Sequence, residues 1–307
     1  MTASAMAASA VGIALTVGVY IVAALDRLLG DAVAGGRVRY RCAFATPLCE
    51  AARLLRQSSG QTERFDAEAW ALAPALLGAL AAIALVVVPL DPDLAPADTP
   101  AGFVLFAAAV ALVMVAVFLH GWAPNSAFPL LGAYRFAAQA LSFQIPFLLA
   151  MLATALPAES LAIGDIVRAQ HGRWNVVRQP LGLPLYLIVG LGATFWGPLN
   201  LADAADLAGG TSAEDAGVTR LLWKVARSAM LVAIAAMGTA SFLGGWWGPG
   251  FPGAVWVVVK TVALLVVLVA SRHLLVRVRL ERFVVVAWSV LIPLALVNVF
   301  VSGVLVL

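Results

Sequence analysis

The sequence predicts an all-α protein that crosses a membrane about eight times, and three observations predict it. Hydrophobic residues fill 63% of the 307 positions and charged residues only 11%, against about 25% charged in ordinary soluble domains. The mean hydropathy is +0.99. The apolar residues also fall into runs of about 20, the length that spans roughly 30 Å of hydrocarbon at 1.5 Å per helical residue. A soluble domain is excluded, and the first partner is the lipid bilayer. The formal net charge of +3 reads as basic loops on one side of a membrane, not as nucleic-acid binding.

The first run covers residues 8–25. No basic residue precedes it and its first charge is Asp26, so it reads as a retained span instead of a cleaved signal. A connection over 26–69 follows and contains "FATPLCEAARLLRQ". Phe44, Leu48, Ala51, Ala52 and Leu55 recur there at helical spacing, with Glu50, Arg53 and Arg56 elsewhere on the wheel, which predicts an amphipathic helix lying along the interface. Cys42 and Cys49, the only cysteines, share a helical face but are too far apart for a disulfide. They read as small buried or interfacial side chains.

Further runs occupy 70–90, 101–119, 136–156, 181–201, 228–247, 254–270 and 283–307. Internal Gly and Pro are tolerated in such runs because neighbouring helices satisfy freed backbone groups. The connection over 199–227, "LNLADAADLAGGTSAEDAGVTR" in its core, is acidic and Gly-rich. It reads as a mobile or partner-covered segment. No repeat divides the chain, so residues 1–307 form one integral membrane domain.

Orientation follows from Lys and Arg. Of the nineteen, fifteen lie in the odd-numbered connections or just beyond them, three (Arg168, Arg173, Arg178) in the even ones, and Lys260 inside a span. That places the odd connections in the cytoplasm and both termini outside. The acidic "DPDLAPADTP" connection then lies outside.

Ionisable and amide groups at membrane depth are costly and point to function or to a structural tie. Arg135, Gln139 and Ser142 share one face of the fourth span, and Gln144 lies about 180° from Arg135 on an ideal wheel. Arg135 snorkelling to the interface while the amides tie helices together accounts for them without chemistry. Arg220, Lys224 and Arg227 form a second basic stripe, which a positive-inside cap would also explain. Lys260 sits about 9 Å into the seventh span and is the best chemical candidate, since a buried ammonium needs a partner, water or a depressed pKa. His120, His171 and His273 fall at three separate span ends or connections and read as interfacial. No metal site is expected from them. No P-loop, dinucleotide fingerprint or nucleophilic triad is present.

Several ordered blocks carry a resemblance. "GWAPNSAFPLLGAYRFAAQALSFQIPF", "LAPALLGALAAIALVVVPL", "WNVVRQPLG", "FLGGWWGP", "PGAVWVVVKT" and "LIPLALVNV" resemble, in order from about Asp26 to the C-terminus, the H-type (subunit 1) membrane subunit of respiratory complex I and of related membrane-bound hydrogenase complexes. The resemblance implies eight transmembrane helices with an interfacial helix after the first. It implies a bacterial cytoplasmic-membrane subunit of an NADH-quinone oxidoreductase-type translocase. Such a subunit docks the peripheral redox arm, walls a quinone chamber and begins a proton path. It holds no complete active site and no bound cofactor of its own, quinone being the substrate of the complex.

By the same resemblance Asp26 and Arg27 fall on the family's Glu-Arg pair, and Pro47, Glu50 and Arg53 on its Q-P-L-A-D-x-x-K motif, with Thr46 in place of Gln. Asp203 and Asp206 retain part of an acidic run, together with Glu214 and Asp215. These are the quinone-chamber candidates; Arg135, Gln139, Gln144, Arg227 and Lys260 are the proton-path or intramembrane polar candidates. The departures concern carboxylates: Gln144, Ala193 and Arg227 stand where the family has Glu, and Asn200 where it has Asp. Phe195 and Trp196 replace Asn and Arg, while Pro198 and Leu201 are kept. A relay needs groups that titrate, so proton coupling is expected to be weakened, rerouted or absent. The alternative is a structural membrane anchor of a hydrogenase-type complex without quinone. A stand-alone ion transporter lacks support, since no inverted repeat is present.

Overall fold

A computed structural model describes residues 3–35, 40–58, 60, 62–92 and 99–305. Arg37, Arg39 and most of the acidic stretch after the second span lie outside the described residues, as do the side chains of Arg41 and Cys42. The chain order is α1 (Ala3–Val33), α2 (Tyr40–Arg56), α3 (Ala67–Val86), α4 (Gly102–Trp122), α5 (Ala127–Ala155), the short α6 (Ile163–Arg168) and α7 (Asn175–Arg178), α8 (Gly182–Ala193), α9 (Gly217–Phe242), α10 (Gly253–Leu274), α11 (Leu280–Val286) and α12 (Ile292–Val304). No strand occurs among the described residues.

Seven helices are long and apolar enough to span a membrane, α11 and α12 counting as one. That last span is continuous but carries a π-turn over Ala287–Leu291 just before Pro293, where the missing proline N–H removes one ladder bond. The remaining predicted span, the fifth at 181–201, is helical only over Gly182–Ala193, about 18 Å at 1.5 Å per residue. Its chain nonetheless runs from one end of the bundle to the other. Gly182 packs on Phe242 and Gly190 on Ile234, while Thr194 and Phe195 meet Arg227. The crossing is therefore completed by irregular backbone. The helix stops because Phe195 and Gly197 take positive φ values of 40° and 57° and Pro198 follows.

α9 is the hub, with 83% of its apolar window buried against 22% for α1 and for the last span. Alanines along its inward faces, among them Ala229, Ala233 and Ala240, are buried and let backbones approach closely. Gly18 of α1 meets Val232, and Gly238 meets Tyr186 of α8. The outer helices show lipid large apolar side chains such as Leu141 and Phe300.

Hydrogen bonds bring the odd-numbered connections to one end: Asp26 to Arg272, Arg135 to Asp206, Trp70 and His120 to Asp215, and Glu50 to Lys224. There α2 lies across α1 and α9, anchored by Tyr20 Oη donating to Phe44 O at 2.5 Å. Ala43 and Leu54 face inward and are buried, whereas Phe44, Leu48 and Leu55 are exposed, the arrangement expected of an interfacial helix.

The acidic connection, read from composition as a mobile or partner-covered segment, packs in part against the bundle. Leu201, Ala202, Ala204 and Leu207 are buried, and Thr211 N–H donates to Ala202 O at 3.1 Å. Two glycines make this fit possible. A Cβ on Gly132 of α5 would stand 2.6 Å from Ala202 O, and one on Gly210, whose φ is +57°, only 1.8 Å away. Gly210→Ala is accordingly expected to destabilise the protein by about 2 kcal/mol or more through strain and overpacking. Gly303→Ala, a helical site with open space around it, should be neutral or stabilising by up to ~1 kcal/mol. Thermal unfolding in detergent compares the two.

Candidate functional site

Four of the five candidates from the first connection line one cavity. α1 continues two turns past its apolar run, placing Asp26, Arg27 and Asp31 opposite Pro47 and Glu50 of α2, with His273 closing the side; the volume is about 420 Å³. Arg53 lies on an adjoining groove, with Glu50 and Cys49. Asp26 accepts from Arg272 Nη1 at 2.9 Å and pairs with His273 Nε2 at 2.9 Å. Arg27 pairs with Asp31 at 3.4 Å. Glu50 accepts from Lys224 Nζ at 2.6 Å, and that hydrogen bond holds its carboxyl below the usual glutamate range.

Asp203 and Asp206 stand elsewhere, in the acidic connection, where each carboxylate is bound to a different part of the bundle. Asp203 accepts from Arg227 at 3.0 Å and from Thr211 and Ser212. Asp206 accepts from Arg135 of α5 at 2.7 Å, which lowers its pKa. Glu214 accepts from Ser126 at the start of α5. Asp215 takes Trp70 and His120 from α3 and α4.

Gln139 and Arg227 close the broken end of α8. Gln139 Nε2 donates to Gly192 O at 3.1 Å and Leu199 O at 2.9 Å. Arg227 donates to Thr194 O and Phe195 O, the carbonyls left over where the helix stops. Its guanidinium also lies 4.4 Å from the Phe195 ring and 4.9 Å from the Trp196 ring. Arg227 is thus turned inward, while Arg220 is exposed and Lys224 serves Glu50. Gln144 is half-buried, five residues beyond Gln139, and shares none of these contacts.

Lys260 lies at the opposite end. Its Nζ donates to Leu243 O, Gly245 O and Trp247 O at 2.7, 3.0 and 2.6 Å, using all three ammonium protons. The Trp174 ring lies 4.2 Å away. These three carbonyls compensate the burial of the ammonium.

His120 was expected at an interface and is fully enclosed instead. It lies flat on Trp223, centroids 3.7 Å apart. Trp223 in turn stacks on Phe195 at 5.8 Å, beneath Arg227. Trp196 is shared between Arg227 and Arg272, the latter 5.4 Å from its ring. A column of rings and guanidinium groups therefore runs from His120 and Asp215 to Arg272, Asp26 and His273. Phe195, Trp196 and Arg227 supply its middle. In the sequence, only the departures expected from the resemblance at these three positions pointed to it.

The profile of the NADH dehydrogenase family matches residues 6–303. The chain is similar to the H 1 subunit of NADH-quinone oxidoreductase from Geobacter metallireducens, 32% identical over 304 residues, covering 95% of this chain and 92% of that one. It is 34% identical to the H 2 subunit of the Cereibacter sphaeroides enzyme over 262 residues, 85% and 82% of the two chains. It is also 34% identical to the H-type subunit of the Geobacillus kaustophilus enzyme over 257 residues, 82% and 77%.

Two outcomes follow from the geometry. Arg227→Glu should cost about 3–5 kcal/mol by setting a charge against Asp203 and two carbonyls, seen as loss of folded protein in a detergent melt. The docking of α2 should depend on acid. Glu50 has a lowered folded pKa, so its contribution is complete above the ordinary 4.5 and fades as pH falls through the folded value. The pair is partly exposed and contributes about 0.2–1 kcal/mol. Hydrogen exchange along α2 should lose protection below that pH, and Glu50→Gln should remove the dependence.

Proposed function

The chain belongs to the NADH dehydrogenase family, and from that premise we propose that it is a multi-pass subunit of a quinone-reducing complex in a bacterial cytoplasmic membrane. In this reading it walls the quinone chamber and docks the peripheral redox subunits, with the odd-numbered connections in the cytoplasm and both termini outside. The observation that carries it is the cavity of about 420 Å³ bringing together Asp26, Arg27, Pro47 and Glu50, a volume within the range of small-molecule sites. Electrons come from partner subunits. Each quinone also takes up two protons, and the Asp26 and His273 pair on the cavity wall offers a group that can pass one on.

The proton path inherited by the family is interrupted in this reading. Neither Gln144 nor Ala193 titrates near neutral pH, Arg227 is bound to Asp203 and two backbone carbonyls, and Lys260 is bound to three. Arg135 is paired with Asp206. What remains is docking and quinone access, with translocation left to other subunits.

One observation favours an anchor without quinone: both Asp26 oxygens are occupied, by Arg272 and His273. Asp26→Asn and Arg27→Ala in the assembled complex separate the two. The quinone reading expects a tenfold or greater fall in quinone reduction per assembled complex, with assembly intact. The anchor reading expects poorer assembly and unchanged turnover. For the proton path, Gln144→Glu should leave the proton-to-electron ratio in vesicles unchanged, because its downstream partner is absent; a rise would refute the interruption.

A further inference from the structure

The most enclosed ionisable pair among the described residues is not at the cavity. Both side chains of His120 and Asp215 are 0% exposed, with Nε2 and Oδ2 2.8 Å apart. Trp70 Nε1 donates to the other carboxylate oxygen at 3.2 Å. His120 Nδ1 is buried and has no partner, and the ring face is covered by Trp223 at an interplanar angle of 11°. Neither residue lines the cavity proposed to admit quinone, and the chemistry of the pair is independent of that role.

With a neutral imidazole donating Nε2–H to Asp215, the unit carries one negative charge in a fully dehydrated place. Charge so buried is unfavourable unless it is compensated. One added proton brings the unit to zero charge, and in so close a pair that proton belongs to both groups. The lone pair on Nδ1 is free to receive it, since Nε2 already faces Oδ2. The resulting imidazolium would lie over an indole face, which favours a cation. We propose that His120 and Asp215 form a buried proton-binding site that takes up and releases one proton as a unit, with His120 Nδ1 as the receiving atom. The step is a simple protonation: a proton leaves hydronium or water, forms the Nδ1–H bond and returns by the same route, with no redox change.

The charged groups on the surrounding elements leave this pair to itself. On α3, Asp66 accepts from the Ala69 amide and Glu68 is exposed; α4 carries no other ionisable residue. In the acidic connection Asp203, Asp206 and Glu214 are bound to Arg227, Arg135 and Ser126. On α9, Lys224 is held by Glu50 and Arg220 is exposed, while Arg227 lies two rings away, beyond Trp223 and Phe195. Of the bonds that tie the acidic connection to the bundle, the one at Asp215 alone changes charge by a proton on histidine.

The chain has three histidines, so solid-state NMR of the full-length protein with ¹⁵N-labelled histidine in lipid vesicles can follow each ring, with His171→Asn and His273→Asn giving the assignments. The expected result is that His120 converts between a neutral ring with an unprotonated Nδ1 and an imidazolium within pH 5–8. Asp215→Asn should weaken proton binding at least tenfold. Trp70→Phe removes only the indole N–H from the carboxylate and should strengthen it, a milder variant should Asp215→Asn fail to fold. A His120 ring locked in one neutral tautomer across that range in the unaltered chain would overturn the proposal. So would titration left unmoved by both variants.

Discussion

Everything at the connected end of this protein depends on satisfying one interrupted backbone. A helix broken after 12 residues leaves carbonyls at a depth where water does not reach, and lipid offers no donors. The donors must come from neighbouring spans, and they do: Gln139 from α5 and Arg227 from α9. Those two side chains fix where α5, α8 and α9 stand relative to one another. Asp203 then balances the guanidinium and draws the acidic connection over the break. The connection is a plug, and its carboxylates are the pegs.

This arrangement explains why Phe195, Trp196 and Arg227 belong together. A glutamate at 227 could not cap carbonyls, and a charged residue at 196 could not share its face with two guanidinium groups. Phe195 and Trp196 give Arg227 two ring faces, and Trp223 links them to His120. Each replacement makes sense only with the others. Arg227, its two ring faces and the acidic connection are thus one structural unit, built at the point where the helix breaks.

Much of the architecture was legible in the sequence. Spans show as long apolar runs, and α2 shows as a helical stripe of Phe44, Leu48, Ala51, Ala52 and Leu55, of which Phe44, Leu48 and Leu55 are exposed. The shared face of Arg135, Gln139 and Ser142 was likewise readable from spacing. The early end of α8 was not, because "TFWGPL" is as apolar as the helix before it, and hydropathy does not distinguish coil from helix inside a bundle. The acidic connection misled for the opposite reason. Its polar, Gly-rich composition suits an exposed loop, yet Gly132 and Gly210 exist to admit it. His120 and Asp215 are 95 residues apart, and only folding brings them into contact.

Lys260 has a consequence for the order in which the molecule is made. The turn after α9 gathers three carbonyls around the Lys260 ammonium. The cation is carried on the next span, so these carbonyls gain their donor only when α10 lies beside α9. Closing the turn and pairing the two spans are therefore one act. Because the cation is part of the chain, the three carbonyls are satisfied without an ion from solution.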